Sequence, residues 1–382
     1  MSIDGWVARG YEPVAEEFQR NFDERADLGA AFAVVADGRV VADLWGGVAD
    51  PATGTPWRQD TLQLVFSSTK GFVAICLLLL IERGRIDLDA PVSQYWPEFA
   101  AAGKADTLVR HLVSHQAGLP GIRLQLEPVD LLDGIRMAEL LAAQEPSWPP
   151  GSTVCYHPET WGWLNAELIR RVDGRSVGTF FAQEVAQPLA LDIWIGLPAA
   201  EEPRVSMLRY PSPAPDPPAA CAEHIVAAMD NPPVFSDPLM PFFNSRSAHG
   251  AEIPASNGIG NARSIARLYG CLASGGEIDG VRLLKPETIE LGRTSIVIGP
   301  DPCYPEAIHN FGVGFQLQAG PGPYGPVDAY GHGGAGGSVN GVWPAERIGL
   351  SYIMNELRDD KNRTDGLFAA LHLAHSDAAR NS

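Results

Sequence analysis

Basic residues are scarce in this chain of 382 residues. Its 28 lysines and arginines face 46 aspartates and glutamates, which leaves a formal net charge of −18. A surface of that charge repels the phosphate backbone of nucleic acids and the head groups of anionic membranes. We therefore expect no nucleic acid partner, and we interpret the acidity as a source of solubility.

Long apolar runs and paired cysteines are also missing. The longest apolar run, residues 71–81, is too short to span a bilayer, and we interpret it as a buried helix. Residues 1–6 contain no basic flank followed by an apolar core, so we expect no secretory signal. The five cysteines are odd in number and form no Cys-x-x-Cys pair. These features predict a reduced, cytoplasmic protein without a membrane-spanning segment.

Lysine occurs only four times, against 24 arginines, and one of the four stands out. Lys70 follows Ser67 by three residues at the start of the apolar run, so both side chains share one helix face. A buried lysine can lose its proton and act as a base, which arginine does not do. Lys70 could therefore activate Ser67 as a nucleophile. The spacing alone fits an incidental lysine equally well, because chance supplies such a pair about once in a chain of this length.

Apolar periodicity predicts an α+β chain. Residues 30–48 have the pattern of a β-hairpin, a helix is expected from residue 67 to about 83, and helical patterns fill residues 107–191. Strand patterns follow residue 311, and a last helix is expected at about 364–375. Strands at both ends with helices between them predict a central antiparallel sheet flanked by helices, with an inserted helical lobe.

The expected lobes are discontinuous in sequence. Residues 1–95 and 256–382 are predicted to form the α/β lobe with the sheet, and residues 96–255 the mostly helical insert. Within the insert, residues 198–255 are rich in proline. We interpret this stretch as a candidate lid without regular elements.

A second serine motif competes with Ser67. The segment Gly174-Arg175-Ser176-Val177-Gly178 matches the nucleophile elbow of α/β-hydrolases. That elbow follows a strand, whereas here a charged helical pattern precedes it. We therefore predict that Gly174 ends one helix and Ser176 caps the next.

Two histidine pairs have helical spacing, His111 with His115 and His372 with His375. Neither pair contains the glutamate of a His-Glu-x-x-His zinc site, and no third ligand is apparent. We expect these histidines to pack or to cap helices, and we predict neither a metal nor an organic cofactor.

Tyr156 and a glycine-rich run complete the candidate residues. Tyr156 lies in a proline-rich turn before a helix, where a tyrosine either packs or, beside a lysine, serves as a base. Residues 331–338 are rich in glycine and precede a strand. They form either a plain turn or a strand edge whose N–H groups bind an oxyanion. No nucleotide-binding loop is expected, because the run lacks Gly-x-x-x-x-Gly-Lys.

Taken in order, four motifs resemble the serine β-lactamase-like and penicillin-binding-protein family, and most of all its family VIII carboxylesterases. The motifs are Ser67 to Lys70, residues 107–119, Tyr156 and His332-Gly333-Gly334. The likeness runs from about residue 29 to 371. It implies a β-lactamase/transpeptidase-like fold and an enzyme without a cofactor.

The resemblance also implies roles for single residues. Ser67 would be the acylated nucleophile, Lys70 would share its proton, and Tyr156 would act as base and then as acid. The N–H groups of Ser67 and Ala335 would form the oxyanion hole. The residues His332, Gly333 and Gly334 would contact the substrate.

Two departures from the family pattern bear on the substrate. Pro158 stands where β-lactamases have the asparagine of Tyr-x-Asn, and His332-Gly333-Gly334 replaces Lys-Thr-Gly. The fixed cation that holds a β-lactam carboxylate is therefore absent, and a small neutral ester is the expected substrate. The alternatives are an acyltransferase that uses the same acyl-enzyme, a β-lactamase or D-peptidase, and a non-catalytic scaffold. No pattern in the sequence indicates an oligomeric state.

Overall fold

The computed structural model describes residues 2–210, 222–304, 306–319, 325–358 and 361–380. Its α-helices are α1 Glu12–Glu24, α2 Thr69–Glu82, α3 Val109–Val113, α4 Gly134–Ala143, α5 Thr160–Asp173, α6 Val177–Phe181, α7 Glu223–Met229, α8 Arg246–Gly250, α9 Ala262–Ala273, α10 Pro286–Gly292 and α11 Asn362–Arg380. Short 3-10 helices occur at Phe66–Ser68, Val92–Gln94, Pro97–Ala100, Pro128–Leu132 and Ala199–Arg204, and a π-helical turn at Ala182–Ala186.

The strands are β1 Ile3–Val7, β2 Gly29–Ala36, β3 Arg39–Asp50, β4 Thr55–Pro56, β5 Gln63–Leu64, β6 Ile193–Ile195, β7 Gly258–Gly260, β8 Glu277–Ile278, β9 Val281–Arg282, β10 Val297–Pro300, β11 Ile308–Phe311, β12 Gln316–Leu317, β13 Tyr330–Gly334, β14 Ser338–Trp343 and β15 Ile348–Met354. Within the described ranges, ten of them form one sheet in the order β1-β3-β2-β15-β14-β13-β12-β11-β10, with β4 paired to β3. Every pairing in this sheet is antiparallel.

The two ends of the chain complete this sheet together. Strand β2 pairs with β15 from Ala36 opposite Ile348 to Ala30 opposite Met354. All eight residues of β2 are buried, because both faces of the sheet are covered. Its residues alternate between two apolar cores, one shared with α9 and the other with α1 and α11. The predicted antiparallel sheet flanked by helices is confirmed.

The predicted hairpin and central helix are present. Asp37 and Gly38 join β2 to β3 with φ values of 48° and 74°, as a tight turn between twisted strands requires. Helix α2 is buried from Thr69 to Leu80, which is typical of a core helix that is apolar on every side. None of the described helices has the length and apolar character needed to cross a membrane.

The second serine motif has the structural role predicted for it. Gly174 follows α5 in the left-handed conformation with a φ of 94°. Ser176 Oγ accepts a hydrogen bond of 3.3 Å from the N–H of Thr179 and so caps α6. Helix α5, not a strand, leads directly into Gly174 and Ser176, so the strand–turn–helix geometry of the α/β-hydrolase elbow is excluded.

The prediction that residues 198–255 contain no regular elements is wrong. The segment includes a 3-10 helix at Ala199–Arg204 as well as α7 and α8. These elements form because the stretches they occupy contain one proline in total, at position 203. The run 211–218 lies outside the described residues. The division into two lobes and the role of a lid stay predictions.

The expectation of a fully reduced chain is also wrong. Cys303 is disulfide-bonded, whereas Cys76, Cys155 and Cys271 are free. Cysteine count and local spacing do not show which residues the fold brings together.

Candidate active site

Ser67 lies in the 3-10 turn Phe66–Ser68 that leads into α2, and Lys70 lies one turn later. Lys70 Nζ is 3.1 Å from Ser67 Oγ. The ammonium also donates to the carbonyl oxygens of Pro158 at 2.7 Å and Ala255 at 3.2 Å. Ser67 is partly exposed, whereas Lys70 is fully buried. The structure therefore brings the two residues together as their spacing predicts.

The environment of Lys70 lowers its affinity for a proton. Burial lowers the pKa of Lys70 to about 7, against the opposing effect of the Glu159 carboxylate, which raises it. A substantial fraction of the amine is therefore neutral near pH 7. In that form it can accept the proton of a hydroxyl that lies within hydrogen-bond distance.

The backbone just before Ser67 is strained. Phe66 has a φ of 46°, a left-handed conformation that costs a non-glycine residue on the order of 1–3 kcal/mol. Two contacts hold it: Thr69 Oγ1 donates to the Phe66 carbonyl at 2.5 Å, and the Phe66 ring packs 5.1 Å from the ring of Phe243. These contacts fix the direction in which the next residue, Ser67, projects.

A buried polar network joins this turn to the sheet. Ser68 Oγ donates to the carbonyl of His332 at 2.9 Å, and Asn340 Nδ2 donates to Ser68 Oγ at 2.7 Å. Ser351 Oγ in turn donates to Asn340 Oδ1 at 2.5 Å. Sequence reasoning did not find Ser68, Asn340 and Ser351 as supporting residues. For Asn340 and Ser351, the signal in the sequence is a polar residue at a buried position of the apolar strands β14 and β15.

The glycine-rich strand β13 lies against the turn that carries Ser67. A Cβ atom on Gly334 would lie 2.2 Å from the carbonyl oxygen of Val65, so only glycine permits this approach. Ala335 follows directly and packs against the apolar cluster that contains Phe66. The predicted residues His332, Gly333, Gly334 and Ala335 thus border the turn that carries Ser67.

Tyr156 is the third predicted residue at this place. Lys70 Nζ lies 5.0 Å from the centre of the Tyr156 ring. The centre of the Tyr156 ring lies 4.8 Å from the centre of the His115 ring and 6.1 Å from that of the His332 ring. The N–H of Tyr156 donates to Asp301 Oδ2 at 2.7 Å, which anchors the turn before α5.

Three of the histidines near Tyr156, His115, His157 and His332, are neutral at pH 7. Burial and the charge of Lys70 lower the pKa of His332 to about 3. Burial lowers the pKa of His157 to about 4, and it lowers the pKa of His115 well below its usual range. His115 Nδ1 accepts from the N–H of His157 at 3.0 Å, so the expected packing role of His115 is confirmed. Position 332 therefore provides no fixed cation.

The remaining predicted histidines have contacts away from this site. His111 Nδ1 accepts from the N–H of Leu108 at 3.2 Å and caps α3, as expected. His372 bonds Glu346 at 2.8 Å, and His375 bonds the Tyr11 hydroxyl at 2.8 Å.

Asp301 and His309 are further residues that sequence reasoning missed. His309 Nε2 lies 3.0 Å from Asp301 Oδ2, and its ring packs 5.9 Å from that of Tyr156. Asp301 also lies within 4.8 Å of the sulfur atoms of Cys155 and Cys303, a spacing that could hold a metal ion. The Cys303 sulfur is already disulfide-bonded and so is not a thiolate ligand.

Lys104 shows that burial of a lysine does not by itself identify a base. It is fully buried, and Nζ donates to the carbonyls of Ala101, Ala142 and Gln144 at 2.9, 2.9 and 2.5 Å. Burial lowers the pKa of Lys104 to about 8. No serine is among its hydrogen-bond partners in the described part of the chain, which distinguishes it from Lys70.

A family model described as Beta-lactamase matches residues 18–374. The chain belongs to the Beta-lactamase family. The esterase/beta-lactamase LipL of Mycobacterium tuberculosis is 37% identical over 378 residues, which cover 96% of this chain and 86% of that protein. The crystal structure of a penicillin-binding protein homologue from Caulobacter crescentus and that of a family VIII carboxylesterase each show a TM-score of 0.90 and 36% identity. Each covers 98% of this chain and 100% of its own.

These matches confirm the resemblance that the ordered motifs indicated. They also confirm the β-lactamase/transpeptidase-like fold, because nearly the whole chain superposes on both structures. The family model spans all three segments that meet here, namely the turn with Ser67, the turn with Tyr156 and the glycine-rich strand β13.

Proposed function

We propose that this protein is a serine carboxylesterase that cleaves small neutral esters through an acyl-Ser67 intermediate. The observation that carries the proposal is the 3.1 Å contact between Lys70 Nζ and Ser67 Oγ beside the Tyr156 ring. The names of two similar proteins, an esterase/beta-lactamase and a family VIII carboxylesterase, support ester hydrolysis.

Acylation starts with the transfer of the Ser67 proton to the Lys70 and Tyr156 pair. Ser67 Oγ then bonds to the ester carbonyl carbon, and the carbonyl π electrons move to its oxygen. When the tetrahedral intermediate collapses, the carbon–alkoxide bond breaks and the departing alcohol takes the proton back from Tyr156. In deacylation, water loses a proton to the same pair and bonds to the acyl carbon. The bond from that carbon to Ser67 Oγ then breaks, Ser67 Oγ takes the proton back from the pair, and the acid leaves.

The N–H groups of Ser67 and Ala335 stabilise the oxyanion in this proposal. Ser67 lies at the N-terminal end of the helical segment that continues as α2. The free N–H groups at that end carry the positive partial charge of the helix dipole, which attracts an oxyanion. Ala335 follows β13, which the bond from Ser68 to His332 holds against the same turn. Loss of one such donor typically costs about 100-fold to 1,000-fold in kcat.

The polar end of the site favours a neutral substrate. His332 is uncharged, and the Pro158 carbonyl accepts from Lys70 where β-lactamases present an asparagine side chain. Neither group offers a positive charge to the carboxylate of a β-lactam. A neutral ester has no carboxylate, so its binding does not depend on such a charge.

Hydrolysis of p-nitrophenyl acetate and butyrate by the purified protein tests this function. We expect Ser67→Ala to lower kcat/KM by about 1,000-fold or more with its melting temperature unchanged. The matched control Ser152→Ala, at an exposed serine, keeps the parent rate. Full activity in Ser67→Ala would refute the proposal.

A further inference from the structure

Lys70 is surrounded by several titratable side chains. The titratable groups that face Lys70 are Tyr156 and Glu159 before α5 with His157 between them, His115 after α3 and His332 on β13. The lowered pKa values leave the three histidines uncharged. Within the described residues, Glu159 is therefore the group whose negative charge acts on Lys70.

Glu159 also belongs to a closed set of contacts around the lysine. Lys70 donates to the carbonyls of Pro158 and Ala255. The residues that follow each of them, Glu159 and Ser256, are joined by a hydrogen bond of 2.7 Å from Ser256 Oγ to Glu159 Oε2. One side-chain bond thus ties together the two backbone segments that hold the lysine.

Burial has the largest effect on Glu159 and raises the pKa of its carboxyl group above the usual value. The charge of Lys70 and the hydrogen bond from the Ser256 hydroxyl oppose this effect and favour the carboxylate. Glu159 is partly exposed and lines a small cavity of about 30 Å³ together with Asp230, Asn231 and Phe235. A cavity of that size has room for water, which lowers the cost of a charge.

We propose that Glu159 is a positioning residue for acylation, which holds Lys70 within reach of Ser67 and stabilises the ammonium that forms when Lys70 takes the serine proton. This inference rests on the proposed function, because it assigns Glu159 a part in activating Ser67. Glu159 does not touch the reacting atoms and acts through Lys70 alone. A fixed charge beside a developing charge lowers the barrier because it needs no rearrangement during the reaction.

Two variants separate the charge of Glu159 from its contact with Ser256. Glu159→Gln keeps the size and the acceptor oxygen but removes the charge. Ser256→Ala keeps the charge but removes the hydroxyl that orients it. Thermal unfolding establishes that each variant is folded, and Ser256→Ala provides a test even where Glu159→Gln does not fold.

The direct readout is the titration of Lys70 by NMR of protein labelled at the lysine ε-carbon. Four lysines give a simple spectrum, and Lys70→Ala assigns the signal. We expect Glu159→Gln to lower the Lys70 midpoint by about one pH unit and Ser256→Ala to lower it by less. Lys104 is the internal control and keeps its midpoint, because Glu145 is the charge that acts on it. An unchanged Lys70 midpoint in Glu159→Gln overturns the proposal.

Kinetics with p-nitrophenyl acetate provide the second readout. We expect Glu159→Gln to lower kcat by about 10-fold to 100-fold with little change in KM, and to move the acidic limb of kcat/KM to lower pH. A purely structural residue would change KM or thermal stability and leave that limb in place, and this result would contradict the inference. The NMR titration needs no turnover, so failure of the parent protein to hydrolyse esters would refute the proposed function separately.

Discussion

Ser68 Oγ donates a hydrogen bond of 2.9 Å to the carbonyl oxygen of His332, across 264 positions of sequence. The contact joins the turn that carries Ser67, the proposed nucleophile, to the strand that precedes Ala335. Asn340, on strand β14, donates a hydrogen bond to the same hydroxyl and so also holds Ser68 in place. Both proposed donors of the oxyanion hole therefore belong to one rigid unit.

Ser68→Ala breaks this unit. We expect a loss of about 1–3 kcal/mol in the free energy of unfolding, because the buried amide of Asn340 loses its acceptor. We also expect kcat to fall about 10-fold as the two N–H donors lose their alignment. Urea unfolding and ester hydrolysis measure the two effects. Ser236→Ala, at an exposed serine, is the control and changes neither.

Ester hydrolysis should depend on the protonation of Lys70. As pH falls through about 7, Lys70 becomes an ammonium and can no longer accept the Ser67 proton, so kcat/KM should fall about tenfold per pH unit below that point. Lys70→Arg, which stays protonated, should be inactive at every pH. A rate that stays level from pH 8 to pH 5 would rule out Lys70 as the base.

The neutral His332 should set a preference for uncharged substrates. We expect the parent to hydrolyse p-nitrophenyl butyrate at least about 100-fold more efficiently than a penicillin, judged by kcat/KM. His332→Lys should narrow that ratio, because an ammonium attracts the penicillin carboxylate. Equal efficiency toward both substrates in the parent would show that the missing cation does not govern selectivity.

Gly334 should tolerate no side chain. In Gly334→Ala the new Cβ would lie 2.2 Å from the Val65 carbonyl oxygen, so β13 must move away from the turn that carries Ser67. We expect kcat/KM to fall by at least about 100-fold. Gly299→Ala, on β10 of the same sheet, introduces only an ordinary contact of 3.4 Å with Val154 and should keep full activity. Parent-like rates in both variants would disprove the close approach.

Local patterns predicted much of the fold. The hairpin of β2 and β3, the buried helix α2 and the cap at Ser176 each depend on residues a few positions apart, so periodicity and turn chemistry identify them. The ordered motifs also predicted that Ser67, Lys70, Tyr156 and His332 would lie at one site. Comparable local signals mark α7 and α8, but the abundance of proline around them obscured their helical patterns.

The remaining features depend on contacts between distant residues. Glu159 accepts a hydrogen bond from Ser256, which lies 97 positions away in sequence. Asp301 accepts one from the N–H of Tyr156, 145 positions away. Neither carboxylate was predicted to be a functional residue, because nothing close to it in sequence indicates its partner. The burial of Lys104 and the disulfide at Cys303 likewise follow from packing in three dimensions.

The central claim is that Ser67 carries the acyl group. Brief incubation with p-nitrophenyl acetate, an acid quench and intact mass measurement followed by peptide mapping tests it directly. We predict one added acetyl group on the peptide that contains Ser67, and none in Ser67→Ala. An adduct on another residue, or turnover of the ester by Ser67→Ala without any adduct, would contradict the account.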